Sequence, residues 1–161
     1  MFEKRQVQRG QYTIAINKKA PLYAQTFGNF EIFSYGKPLK FSRSKTKELL
    51  AYLIDRNGAT ATNNEICAVL WEDEPDTEKQ KLYLRQLLLD LKTTLKEIGA
   101  QDIIIKQTKS IAIAPDKIVC DSYGYIKGEI DCINAYKGQY MSQYSWAETH
   151  TWNFNSSQNK K

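Results

Sequence analysis

Arg85 and Gln86 stand side by side in the run LYLRQLLLDLKTTLKE, with Leu89 one helical turn on and Lys92, Thr93 and Lys96 beyond it. A guanidinium matches the O6/N7 edge of guanine through two parallel hydrogen bonds, a carboxamide matches the N6/N7 edge of adenine, and lysines neutralise phosphates. The chemistry on offer is recognition of a duplex rather than bond making. Lys106 and Lys109 bracket Gln107 and Thr108, a basic tip suited to a backbone or a minor groove. Arg43, Ser44, Lys45 and Lys47 open a helical run whose first amides favour anions. A solvated face, its long stems merely covering leucines, explains the same cations, and Lys47 equally suits a stem laid across a sheet. Spacing alone leaves both readings open.

Residue types that make or break bonds are sparse. Cys67, Cys120 and Cys132 are odd in number and far apart, and with the single His150 they show no metal-ligand spacing. Reduced, buried thiols are the expectation. There is no Gly-rich phosphate loop and no Ser/His/Asp spacing. We expect no enzyme activity, no metal and no cofactor.

The net charge of +5 over 161 residues is unevenly spread. Residues 1–50 carry ten Lys/Arg against three acids, residues 51–100 six against nine, and residues 101–161 seven against six. The basic end suits phosphates, whereas the cluster Glu72, Asp73, Glu74, Asp76 and Glu78 does not. A composition of 42% hydrophobic residues fills one core, with room for a small appendage. No run approaches the ~18–20 apolar residues of a membrane span, and no signal-peptide pattern follows MFEKRQVQRG. A cytoplasmic protein is expected.

Several elements must position these side chains. Residues 1–21 read as a linker or a loosely attached strand, with Tyr12, Ile14 and Ile16 alternating. LYAQTFG, NFEIFSYG and KPLKF, punctuated by Gly28-Asn29 and Gly36-Lys37, read as a small antiparallel sheet with Phe30, Ile32 and Ser34 on one face. Such a sheet needs a helix over one face. SRSKTKELLAYLIDRNG supplies a helix capped by Ser42 or Ser44 and stopped at Asn57-Gly58. A short helix over about 63–71 opens with the capping sequence Thr62-Asn63-Asn64-Glu65 and closes on Trp71. After EDEPDT, a third helix runs from about 77 to 98 with its stripe at Leu84, Leu88, Leu91, Leu95 and Ile98, ended by Gly99. DIIIKQTKSIAIAP then makes a hairpin over about 103–114. Helix, helix, long helix, basic hairpin is the order of a winged helix-turn-helix.

The strings TFGNFEIF, FSRSKTKELLAYLIDRNGA, LWEDEPD, YLRQLLLDLKTTLKEIGA, IAIAPDKIVCD and INAYKGQYMSQYSWAE resemble bacterial transcription regulators of the antibiotic-regulatory-protein (SARP) type. The resemblance covers roughly residues 22–148. It implies an α+β fold: an OmpR/PhoB-like winged helix-turn-helix over 22–121, with an N-terminal antiparallel sheet and a C-terminal hairpin wing. A short helical extension of bacterial-transcriptional-activator type follows over 122–161. Relatives among two-component response regulators place a phosphoacceptor receiver ahead of this module. About twenty residues precede the first strand here, so no receiver is expected within the chain, and the activator extension is expected to be cut short.

The resemblance also implies function: sequence-specific binding of double-stranded DNA at promoters, with the third helix in the major groove. With Leu84, Leu88, Leu91 and Leu95 inward, the DNA-facing set becomes Lys81, Tyr83, Arg85, Gln86, Leu89, Lys92 and Thr93, joined by Arg43, Ser44 and Lys45 and by Lys106, Thr108 and Lys109. Glu72, Asp73, Glu74 and Asp76 would face RNA polymerase, or else stabilise the third helix dipole. A second copy of the chain is a further candidate partner; no membrane is. Leu87 and Leu89 flank Leu88, making the middle of this helix apolar on nearly every side, and Asp90 repels phosphate. Either the reading face shifts toward Lys79, Lys81, Tyr83 and Arg85, or Leu89 meets thymine methyls or a protein neighbour. The alternative function is an interaction module without DNA affinity, pairing through this leucine run or the C-terminal helices.

Overall fold

Alternating burial along NFEIFS sets the first sheet, with Phe30, Ile32 and Ser34 inward and Glu31 and Phe33 half-buried. The computed structural model describes residues 20–74, 78–152 and 154–155. Its elements in chain order are β1 (Tyr23–Gln25), β2 (Glu31–Ser34), β3 (Lys37–Pro38), α1 (Ser44–Asp55), β4 (Ala61–Thr62), α2 (Asn63–Leu70), α3 (Glu78–Glu97), β5 (Ile104–Lys106), β6 (Ser110–Ile113), β7 (Val119–Cys120), α4 (Asp121–Ile126) and α5 (Ile130–Ala135). Short 3₁₀ turns at Gln101–Ile103, Pro115–Lys117 and Ser145–His150 complete them. The fold is α+β. The expected linker over 1–21, with its Tyr12, Ile14 and Ile16 strand, falls almost wholly outside the described residues. Among the described residues no helix is long and apolar enough to cross a membrane.

The described residues gather into two compact units, residues up to 39 with those from 118 onward, and residues 40–117. In the first, the sheet order is β3-β2-β1-β7. The β2–β3 turn has positive φ at Tyr35 (50°) and Gly36 (85°), the pair of left-handed residues that fits the twist of a hairpin. β1 pairs antiparallel with β2 and parallel with β7, Tyr23 opposite Val119 and Ala24 opposite Cys120. α4 packs on β1.

Asp121 makes the corner between β7 and α4. Its Oδ1 accepts from the Thr26 amide (2.8 Å), the Thr26 hydroxyl (2.5 Å) and the Ser122 amide (2.8 Å), and its Oδ2 from the Phe27 amide (3.0 Å). Burial pushes this carboxyl above the usual range, and the bonds from Thr26, Phe27 and Ser122 oppose that shift. Residues 139–143 run along 26–30: the Met141 amide donates to Thr26 O (2.7 Å), the Ser142 amide to Gly28 O (2.9 Å), and the Gln143 side chain both accepts from and donates to the Phe30 backbone. Phe27 lies within 5.0–6.5 Å of the rings of Tyr125, Tyr136, Tyr140 and Phe154. Edge-on contacts of this kind add to area burial. Tyr136 and Tyr140 are thus core residues, and Trp146 stacks on Tyr144 at 5.5 Å. All three cysteines are buried and free, and burial pushes the Cys120 and Cys132 thiols up to about 12, so neither presents a thiolate at neutral pH.

In the second unit, α1 packs on α2, α3 and β6 through Leu49, Leu50, Leu53 and Ile54, each fully buried. The sheet order is β4-β6-β5, so the hairpin gains a third strand from the residues just ahead of α2. Neither Ser42 nor Ser44 caps α1. Arg43 holds the cap position without a side-chain bond, because the Ser42 hydroxyl is drawn to Asp90 and Ser44 already lies in the helix. Thr62 does cap α2, its hydroxyl accepting from the Glu65 amide at 3.1 Å. Asn57 (φ 50°) and Gly58 (φ 93°) stop α1, and a Cβ on Gly58 would stand 3.1 Å from Pro115 Cγ. Gly58→Ala is expected to lose about 2 kcal/mol, combining left-handed strain with that crowding. A thermal melt checks it; an unchanged midpoint contradicts it.

Candidate nucleic-acid interface

The twenty residues of α3 bury Gln80, Leu84, Leu87, Leu88, Leu91, Thr94 and Leu95. Leu87, expected to help make the middle of the helix apolar on nearly every side, is fully buried and belongs to the core stripe. Of the Leu87–Leu89 run only Leu89 is exposed. Asp90 is also engaged: its Oδ2 accepts from the buried Thr46 hydroxyl at 2.6 Å, and both carboxylate oxygens lie 3.0–3.1 Å from Ser42 Oγ. It ties the start of α1 to the middle of α3, so the expectation of a carboxylate set against phosphate is replaced by one turned inward to two hydroxyls. Asp90→Ala would leave Thr46 without its acceptor and is expected to lower stability by about 1–3 kcal/mol, read as a shifted urea midpoint at unchanged slope.

One side of α3 borders a cleft of about 520 Å³. Thr62, Asn63 and Asn64 at the start of α2 form one wall, Thr108 and Lys109 at the hairpin tip the facing edge, and Lys81 and Arg85 the α3 side above a floor of Leu84 and Leu88. Among the described residues three cations line it and no acid does. The Asn63 amide donates to Lys109 O at 3.2 Å and Thr62 stands opposite Ser110 across the β4–β6 ladder, which pins the tip to the start of α2. At the tip, the Gln107 amide donates to Ser110 O (2.9 Å). Lys81 pairs with Glu78 at 3.4 Å with both side chains well exposed, a pair of small worth that a phosphate can displace.

The other anticipated residues scatter around this cleft. Tyr83, 37% exposed, leans on Trp71 at 5.4 Å and with Gln86 lines a second cleft of about 400 Å³ on the opposite flank of α3, beside Lys79, Leu82 and Glu74. Arg85 and Gln86 therefore stand on either side of one ridge. Lys92 is half-buried, Lys106 exposed at the end of β5, and the exposed Thr93 gives its hydroxyl proton to Leu89 O at 2.9 Å. Arg43 and Ser44 are exposed at the start of α1. Lys45 is not a free cation: Nζ donates to Leu70 O at 2.5 Å and pairs with Glu48 at 3.0 Å, bracing the end of α2. Glu72, Asp73 and Glu74 are exposed in the turn after α2, while Asp76 lies outside the described residues. Thr62, Asn63 and Asn64 were legible only as a capping sequence; their place on the cleft comes from β4, too short to show a period.

The chain matches no described protein family and no curated protein. Among solved structures, Mycobacterium tuberculosis EmbR in complex with a low affinity phosphopeptide is similar, with a TM-score of 0.66 at 14% sequence identity. The likeness covers 84% of this chain and 42% of the EmbR chain. At that identity it speaks for the fold: three helices closed by a hairpin wing, with an N-terminal sheet, in the winged-helix manner.

Proposed function

We propose that this chain is a sequence-specific, double-stranded DNA-binding transcriptional regulator, with α3 entering the major groove and the β5–β6 tip on the backbone or in the minor groove. The observation that carries it is the cleft that gathers Lys81, Arg85 and Lys109 between the start of α2, α3 and the hairpin tip. A groove of one charge sign with low-dielectric walls concentrates a polyanion. The resemblance of the sequence to SARP regulators supports the same reading, and the likeness of fold to EmbR is consistent with it.

Arg85 reads guanine and Gln86 adenine from the two sides of the α3 ridge, with Leu89, Thr93 and Tyr83 along or beside it. Lys81, Lys109, Lys106, Lys92, Thr108 and the Arg43–Ser44 turn meet phosphates, and Asn63 and Asn64 hydrogen-bond the backbone at the cleft wall. On this reading residues 22–121 are the DNA-binding part and 122–161 an activator-type extension. Glu72, Asp73, Glu74 and Asp76 form the surface toward RNA polymerase, and a second copy occupies a repeated half-site. Selection from random duplexes at low salt tests the core of it. The expected result is a pool enriched in one short consensus; a pool that stays random, or one that is never retarded, contradicts it.

A further inference from the structure

The outward ridge of α3 is apolar between polar flanks. Leu82 and Leu89, seven residues and two turns apart, lie on one line of the helix and are 59% and 68% exposed. Thr93 continues the line, its hydroxyl proton held by the Leu89 carbonyl. Arg85 borders the ridge on the side of the cationic cleft and Gln86 on the side of Trp71. Charge selects what covers these leucines: among the described residues the cleft beside them is lined by three cations and no acid, which suits a polyanion. On the floor of a duplex major groove, the group that takes an apolar contact is the C5 methyl of thymine.

Resting on the DNA-binding reading above, we infer that Leu89 is a specificity residue that packs on a thymine methyl, with Leu82 placed for a second. The two leucines are separated by about 10 Å along the helix, the length of roughly three base-pair steps. The preferred site therefore carries thymine next to the bases met by Arg85 and Gln86.

The test uses the full chain and the duplex it selects from a random pool, with each thymine replaced in turn by deoxyuridine, which lacks only the methyl. Wild-type affinity is expected to fall about fourfold at one position, the worth of one buried methyl group. Leu89→Ala is expected to be indifferent to the same replacement while keeping its thermal midpoint, since the side chain is exposed. Three results overturn the inference while leaving DNA binding standing: wild-type indifference to every deoxyuridine, equal sensitivity in Leu89→Ala, or loss of self-association in that variant at unchanged DNA affinity. A chain that retards no duplex removes the DNA-binding reading and this inference together.

Discussion

Arg85→Ala is expected to weaken binding to the selected duplex by about 1–3 kcal/mol, roughly 5- to 150-fold, and to relax the preference at one position. The reason is geometric. Arg85 is exposed on the α3 flank that borders both the start of α2 and the hairpin tip, so in the proposed complex its guanidinium would meet a base edge while Lys81 and Lys109 would meet phosphates on either side. Those two lysines differ in kind. Lys81→Ala and Lys109→Ala are each expected to weaken all duplexes alike and to reduce the slope of log affinity against log salt by about one. Lys45→Ala serves as the contrast: its ammonium is committed to Leu70 O and Glu48, so its loss appears in thermal stability rather than in the salt slope. Equal salt slopes for all three lysine variants and the wild type would remove the cleft from the account.

The largest effect on stability is expected from Asp121→Ala. Four donors converge on that carboxylate, from Thr26, Phe27 and Ser122, and Thr26 and Ser122 are themselves buried. Removing the acceptor leaves them without partners in a place water does not reach, a loss of about 3–5 kcal/mol. For a chain of this length the thermal midpoint should drop by roughly 10 °C or more. Asp121→Asn keeps one oxygen acceptor and should fall between the two. If Asp121→Ala melts with the wild type, the corner between β7 and α4 is not held as described.

Long periodic segments were readable from the sequence because their physics is local. The 4-3-4 spacing of Leu84, Leu88, Leu91 and Leu95 marks the inward line of α3, and Thr62 followed by Glu65 marks the start of α2. What escaped was set by partners distant in the chain. Ser42 looks like a helix cap until Asp90, 48 residues on, takes its hydroxyl. Leu87 stands off the inward stripe read from the spacing until α1 and the rest of the unit widen the buried face of α3. β4 and β7 are two residues each, too short for alternation to register. The candidate site followed the same rule: Lys81, Arg85, Thr108 and Lys109 stood out by type, whereas Asn63 and Asn64 join them only because the β4–β6 ladder draws the tip to the start of α2.

In the proposed complex a duplex seats between the start of α2, the outward side of α3 and the hairpin tip. Titrating the isotopically labelled chain with its selected duplex, and following backbone amide resonances, tests it most directly. The amides of Asn63, Asn64, Lys81, Arg85, Leu89 and Lys109 are expected to shift together and saturate with the duplex. Shifts confined to residues 122–155, with these six unmoved, would contradict it.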